Sequence, residues 1–74
     1  MKITVKLFAT LRTGRFDQRV LDIDSGADVD FLLKKIDLGR EDVTIIFING
    51  IHGTYDSKIS EGDSIALFPP VGGG

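Results

Sequence analysis

Ser64-Ile65-Ala66-Leu67-Phe68-Pro69-Pro70-Val71-Gly72-Gly73-Gly74 ends the sequence, and its reading decides how the rest is organised. Ile65 and Leu67 alternate with Ser64, Ala66 and Phe68, the period of a strand with one face turned inward. Pro69 has no N–H for a sheet ladder and a fixed φ, so the strand stops at Phe68. Two consecutive prolines favour a polyproline II rod that points away from the body, and three glycines then restore free rotation. The expected organisation is a folded domain over residues 1–68 and a flexible tail over residues 69–74. Extended, Val71 to Gly74 reach roughly 13 Å at about 3.3 Å per residue, enough to enter another protein's pocket.

That tail points to a chemistry. Lacking Cβ atoms, Gly72, Gly73 and Gly74 fit a channel too tight for any other residue type. An α-carboxyl titrates near about pH 3.5 and is ionised at neutral pH. It is then able to attack the α-phosphate of ATP when another enzyme binds both. Sulfide, a persulfide or an amine would convert the resulting acyl-adenylate into a thiocarboxylate or an amide. Terminal glycines also occur as frayed ends or expression remnants. The joined Phe-Pro-Pro-Val ahead of them favours an organised delivery device.

Composition narrows the classes. A chain of 74 residues holds one modest core and no closed catalytic pocket is expected of it. Cysteine is absent, so sulfur chemistry must use the C-terminus or a partner, and His52 is the lone histidine. Neither a metal site nor a Ser/His/Asp arrangement is expected. The net charge of −2, with both signs interspersed, disfavours nucleic acid. Met1 to Leu7 alternates and lacks the apolar core of a signal peptide, and no stretch is long enough to span a membrane. A soluble cytoplasmic protein is expected.

Working back from the C-terminus, the remaining segments supply partners for the last strand. Ile3, Val5 and Leu7 alternate with Lys2, Thr4, Lys6 and Phe8, a half-buried strand. Ala9 to Gly14 reads as a loop. Phe16 to Asp24, with Arg19, Leu21 and Ile23 on one side, is expected to form a hairpin with the first strand. Asp28 is an N-cap candidate, and Val29, Leu32, Leu33 and Ile36 form the stripe of an amphipathic helix ending near Asp37 to Gly39, with Gly39 in the C′ role. Val43 to Ile48 is continuous and apolar, so it is expected to be a strand buried on both faces or nearly so. Asn49-Gly50 signals a tight turn into a short edge strand within Ile51 to Tyr55. Asp56 to Ile59 reads as a helical turn or a loop. The expected core is Ile3, Val5, Leu7, Leu21, Ile23, Val29, Leu32, Leu33, Ile36, Ile45, Phe47, Ile65 and Leu67.

Strand, strand, helix, strand, short strand, strand, with the last able to run parallel to the first, describes an α+β fold. It is the ubiquitin-like β-grasp: a mixed sheet of four to five strands wrapped on one helix. Parity then puts Phe8 and Phe68 on the same outer face beside the tail exit, and two exposed aromatics there suggest a partner site. The alternative is that this face curls and covers itself. His52 falls near the edge of the same face, where it either joins the patch or is a solvated turn residue, the latter being the simpler expectation.

Lys6-Leu7-Phe8-Ala9-Thr10-Leu11-Arg12, Asn49-Gly50, and the run from Glu61-Gly62-Asp63 to Gly72-Gly73-Gly74 resemble the MoaD-type small subunit of molybdopterin synthase. That family belongs with the ThiS-like sulfur carriers and is related to ubiquitin. The resemblance implies a carrier rather than an enzyme. A ubiquitin-activating-type enzyme (MoeB/ThiF-like) would use ATP to adenylate Gly74, and sulfur transfer would give a thiocarboxylate. Docking on the large synthase subunit (MoaE-like) would deliver sulfur to the pterin dithiolene that binds molybdenum or tungsten. By motif position, Phe8, Arg12, Phe68, Pro69, Pro70, Val71 and Gly72 would contact partners, and Gly73 and Gly74 would form the reactive end. No cofactor is expected to bind the chain itself. Two departures are His52, where the family often has an apolar residue, and Gly72 before the final pair. A carrier for thiamine thiazole, cysteine or tRNA thiolation, or a ubiquitin-like protein modifier, would use the same activated glycine.

Overall fold

The computed structural model describes residues 1–70. Five strands form one sheet: β1 (Lys2–Leu7), β2 (Gln18–Asp22), β3 (Ile45–Ile48), β4 (Ile51–His52) and β5 (Ser64–Phe68), in the order β2-β1-β5-β3-β4. A single α-helix, α1 (Val29–Lys35), lies between β2 and β3 in sequence. β1 pairs with β2 antiparallel and with β5 parallel, with Val5 opposite Arg19 on one side and Ile65 on the other. β5 is therefore the centre of the sheet, and β3 pairs antiparallel along its other edge. This mixed sheet on one helix is the expected β-grasp.

One face of the sheet and the apolar stripe of α1 make the core. Val5, Leu7, Val29, Leu32, Ile65 and Leu67 are completely covered, and Ile3, Leu33 and Ile23 nearly so. At about 1.5–3 kcal/mol per fully buried aliphatic side chain, this layer supplies the main favourable term of folding.

α1 begins where expected. The Asp28 side chain accepts from the Phe31 N–H at 2.9 Å, and the Val29 and Asp30 N–H groups donate to the Ser57 and Tyr55 carbonyls. All three first-turn donors thus have acceptors, as a helix start near other chain segments requires. The segment at Asp56 to Ile59 is a turn that closes a bridge between Lys58 and Asp28 and buries Ile59. The helix ends earlier than expected. Asp37, not Gly39, takes the left-handed position with φ 62°, while Leu38 donates to Leu33 and Asp37 to Lys34. This is a Schellman stop, with Leu33 and Leu38 both buried at its apolar closure. Gly39 instead precedes a short 3₁₀ turn at Arg40–Asp42, its N–H held by Asp42 at 2.9 Å.

Three further expectations change. Ala9–Arg12 is a 3₁₀ turn that buries Leu11, rather than a plain loop. β3 is not buried on both faces: Ile46 is buried, while Ile45 and Phe47 face outward and are only half-buried. Leu21 and Ile36 are partly buried residues packed on the core rather than members of it. Leu11, Ala27, Leu38, Val43, Ile46 and Ile59 complete the core in place of Ile45 and Phe47.

Candidate functional site

The sheet brings the end of β1 and the end of β5 to the same place. Because these strands are parallel and in register from Thr4↔Ser64 to Leu7↔Leu67, the next residue of each, Phe8 and Phe68, lands side by side. The Phe8 N–H donates to the Leu67 carbonyl at 3.2 Å, and the Phe68 carbonyl accepts from the Thr44 N–H at 2.9 Å. The strand end is thus tied on both flanks just before Pro69, through the Leu67 carbonyl on one side and the Phe68 carbonyl on the other. Ala9 has φ 52°, a left-handed conformation uncommon for a residue with a Cβ, and it turns the chain sharply just after Phe8.

The two rings stack, with centroids 4.3 Å apart and planes 10° from parallel. They are half-buried, so the expected pair of exposed aromatics is a stacked, partly covered pair. Phe47 meets Phe68 edge to face at 5.9 Å. His52 does not behave as a free turn residue: it meets the other edge of the cluster, 5.7 Å from Phe47 and nearly perpendicular to it. Such offset or edge-on pairs add about 0.5–1.5 kcal/mol each beyond area burial.

Arg12 closes the row at the opposite end. Its guanidinium lies 5.6 Å from the Phe8 ring centroid, its Nε–H donates to the Leu7 carbonyl at 2.9 Å, and Asp17 lies 3.7 Å away. The outer face therefore carries one continuous row, Arg12, Phe8, Phe68, Phe47 and His52. Beside it Pro69 and Pro70 border a concavity of about 280 Å³ shared with Arg15, Leu38, Glu41 and Asp42.

Of the sequence-derived candidates, Phe8, Arg12, Phe68, Pro69 and Pro70 come together at this point. Val71, Gly72, Gly73 and Gly74 lie outside the described residues. Phe47 was not foreseen as a member, and His52 takes the less expected of its two readings, joining the row. The Asn49-Gly50 turn held the signal: both residues have positive φ (53° and 80°), as a two-residue type I′ hairpin demands. That turn pairs Ile48 with Ile51 and Phe47 with His52, which fixes the side on which both rings stand. Asn49 also locks the hairpin to the start of β5, accepting from the Ser64 N–H and donating to Asp63.

The row can offer an apolar, π-rich surface bounded by a cation, with a strand terminus at its centre. Among the described residues no group of three or more His, Cys, Asp or Glu side chains is placed to hold a metal ion. None of the described helices is long and apolar enough to cross a membrane.

The ThiS family model matches residues 5–74. The chain belongs to the ThiS family. Several solved structures share the fold of this ThiS-family chain. A putative molybdopterin converting factor, subunit 1, from Pyrococcus furiosus is 30% identical, covers 96% of this chain and 99% of its own, and superposes with a TM-score of 0.76. Small archaeal modifier protein 1 from H. volcanii is 26% identical, with 95% and 98% covered and a TM-score of 0.71. A complex of subunits 1 and 2 of the molybdopterin-converting factor from Helicobacter pylori contains a chain that is 21% identical, with full coverage of both and a TM-score of 0.67, a likeness of fold. No match was found among curated proteins.

Proposed function

We propose that this ThiS-family chain is a sulfur carrier that acts as the small, non-catalytic subunit of a molybdopterin-synthase-type complex. The observation that carries this reading is the placement of the strand terminus: Phe68 is stacked on Phe8, and the strand end is pinned from both sides directly before Pro69-Pro70. An anchored exit of this kind fixes where a short tail begins, which is what delivery of a terminal group into another protein requires.

In the proposed chemistry a carboxylate oxygen of Gly74 attacks the α-phosphorus of ATP on a MoeB/ThiF-like adenylating enzyme, and pyrophosphate leaves. Sulfide then attacks the acyl carbon and AMP leaves, which forms the thiocarboxylate; a persulfide would give an acyl disulfide, whose S–S bond a second thiol cleaves to release it. A MoaE-like large subunit would receive the row of rings at Phe8, Phe68 and Phe47, with Arg12 and the Pro69-Pro70-Val71-Gly72 segment alongside. Gly73 and Gly74 would thread to its active site and give up sulfur for the dithiolene of the molybdenum or tungsten cofactor. Two comparisons support this reading: the family match runs to residue 74, and a 30% identical relative is named as a converting-factor subunit 1.

A second reading has its own observation. The H. volcanii relative is named as a protein modifier, so attachment of Gly74 to lysine amines would use the same activated end. One experiment separates the two. The chain is incubated with the host's adenylating enzyme, ATP and a sulfur source, and its intact mass is measured. A gain equal to exchanging one oxygen for one sulfur supports the carrier. An unchanged mass, together with branched Gly-Gly remnants on lysines of host proteins, would replace it with the modifier.

A further inference from the structure

On the flank away from β4, β2 is an open sheet edge. The bonds Ile23 N–H to Met1 and Leu7 N–H to Asp17 fix the odd-numbered residues of β2 as those that exchange hydrogen bonds with β1. The backbone groups of Gln18, Val20 and Asp22 therefore point outward into solvent. Edges are usually blunted by proline, a bulge or a row of charges. Here the middle position is Val20, 62% exposed.

Beside that edge, towards the C-terminal end of α1, lies a groove of about 500 Å³. Phe16, Leu21 and Ile36 form its apolar floor, and Arg15, Arg19, Lys35 and Asp37 its rim. Arg19 lies over the Phe16 ring at 4.6 Å, and Arg15 is oriented by the Ile36 and Asp37 carbonyls. Among the described residues none of these three cations is in an ion pair, which holds equally for Lys6, Lys34 and Lys58 elsewhere on the surface. Three cations against one carboxylate around an apolar floor, in a chain of net charge −2, reverse its overall charge locally.

We propose that this edge and groove bind an extended, acidic segment of a partner protein, which adds to the sheet as a sixth strand beside β2. In that geometry the outward N–H and C=O groups of Gln18, Val20 and Asp22 form the ladder. Alternate side chains of the incoming strand drop towards Phe16, Leu21 and Ile36, which favours an apolar residue at every second position. Carboxylates flanking that apolar pair meet Arg15, Arg19 and Lys35. A neutral strand would leave those cations unmatched, and an acidic disordered segment would lack the apolar anchors. The surface is separate from the row of rings at Phe8, Phe68 and Phe47, so the interaction does not depend on the proposed sulfur chemistry.

The test is a titration of the isotope-labelled full chain with the capped peptide acetyl-EVIVDE-amide, followed by amide NMR and hydrogen exchange. Shifts and slowed exchange are expected at Gln18, Val20 and Asp22, with no change at Phe47 or Phe68. Arg19→Glu combined with Lys35→Glu should weaken binding by about tenfold or more. Val20→Pro removes an outward donor without breaking a bond to β1, and should abolish the ladder. The charge-reversal pair alters only exposed side chains, so it keeps the test decisive if Val20→Pro fails to fold.

Four results would overturn the proposal: no binding, equal binding of acetyl-KVIVKK-amide, the same shifts from inorganic phosphate alone, or peptide-induced shifts centred on the Phe8–Phe68 pair. Shifts at β2 that appear on concentrating the protein without peptide would also overturn it, assigning the edge to a second copy of the chain.

Discussion

On the helix side of the sheet Val5, Leu7, Ile65 and Leu67 have no exposed surface, whereas on the other side Phe8, Phe47 and Phe68 are half-buried and pack ring against ring. No aromatic ring belongs to the fully buried core, which is entirely aliphatic. The same strands thus carry two layers of different character, two residues per repeat. Aliphatic side chains with one preferred rotamer fill a closed space and hold the fold. The rings keep one side open, and their flat faces offer area to another protein at little cost in side-chain freedom. Stability and recognition are divided between faces rather than competing for one set of residues.

That division can be broken experimentally. The largest expected effect lies on neither face but at the end of the chain. Removal of Gly73 and Gly74 should abolish sulfur loading by the adenylating enzyme and leave the melting temperature unchanged; intact mass and calorimetry measure the two quantities. If loading persists, the aromatic row serves some other purpose. Next in size, Leu67→Ala should lower the unfolding free energy by about 3–4 kcal/mol, because the site is closed on all sides and collapses poorly. Its neighbour on the opposite face should respond differently. Phe68→Ala should cost about 1–2 kcal/mol in urea denaturation, from partial burial and one stacked pair, yet weaken docking on the large subunit by more than tenfold in a binding titration. A loss of stability as large as that of Leu67→Ala would mean the rings are core.

Sites outside both layers calibrate the scale. Asp28→Ala removes the acceptor of the Phe31 N–H and should cost about 1 kcal/mol by thermal unfolding. The smallest effect is electrostatic. The Arg40 guanidinium, hydrogen-bonded to Asp30 at 3.1 Å, holds that carboxyl below its ordinary 3.8, and the N-terminal ammonium does the same for Asp22. Both carboxyls are depressed in the folded state. Their contribution is therefore complete above the unfolded value and is lost as pH falls from about 4 through the folded values. Asp30→Asn should lower stability slightly at neutral pH, flatten the acid limb and change nothing in acid below the folded value.

The alternating strands were legible because a period of two leaves no choice of face: Ile3, Val5 and Leu7 in β1, and Ile65 and Leu67 in β5, sit where the pattern puts them. β3 was not, because in Ile45-Ile46-Phe47-Ile48 every position is apolar and parity is lost. Its register comes from pairing with β5, which sets Ile46 opposite Leu67 and Ile45 opposite Phe68. Leu11 and Ile59 escaped notice because they sit in a 3₁₀ turn and a bridge, where no period exists to read. The helix stop was misplaced by two residues because glycine is the usual left-handed residue, yet Asp37 occupies that conformation. Of the candidate site, Phe8 beside Phe68 followed from β1 and β5 being parallel, whereas Phe47 depended on the misread strand and His52 was placed near that face with its contact to Phe47 unseen.

The stacked rings come from opposite ends of the chain and touch only after β5 has slotted between β1 and β3. A protein that grips both at once is inspecting a completed product: an unfinished or misregistered molecule cannot display the pair. Activating machinery that feels for this contact before committing ATP would discard defective carriers at no added expense.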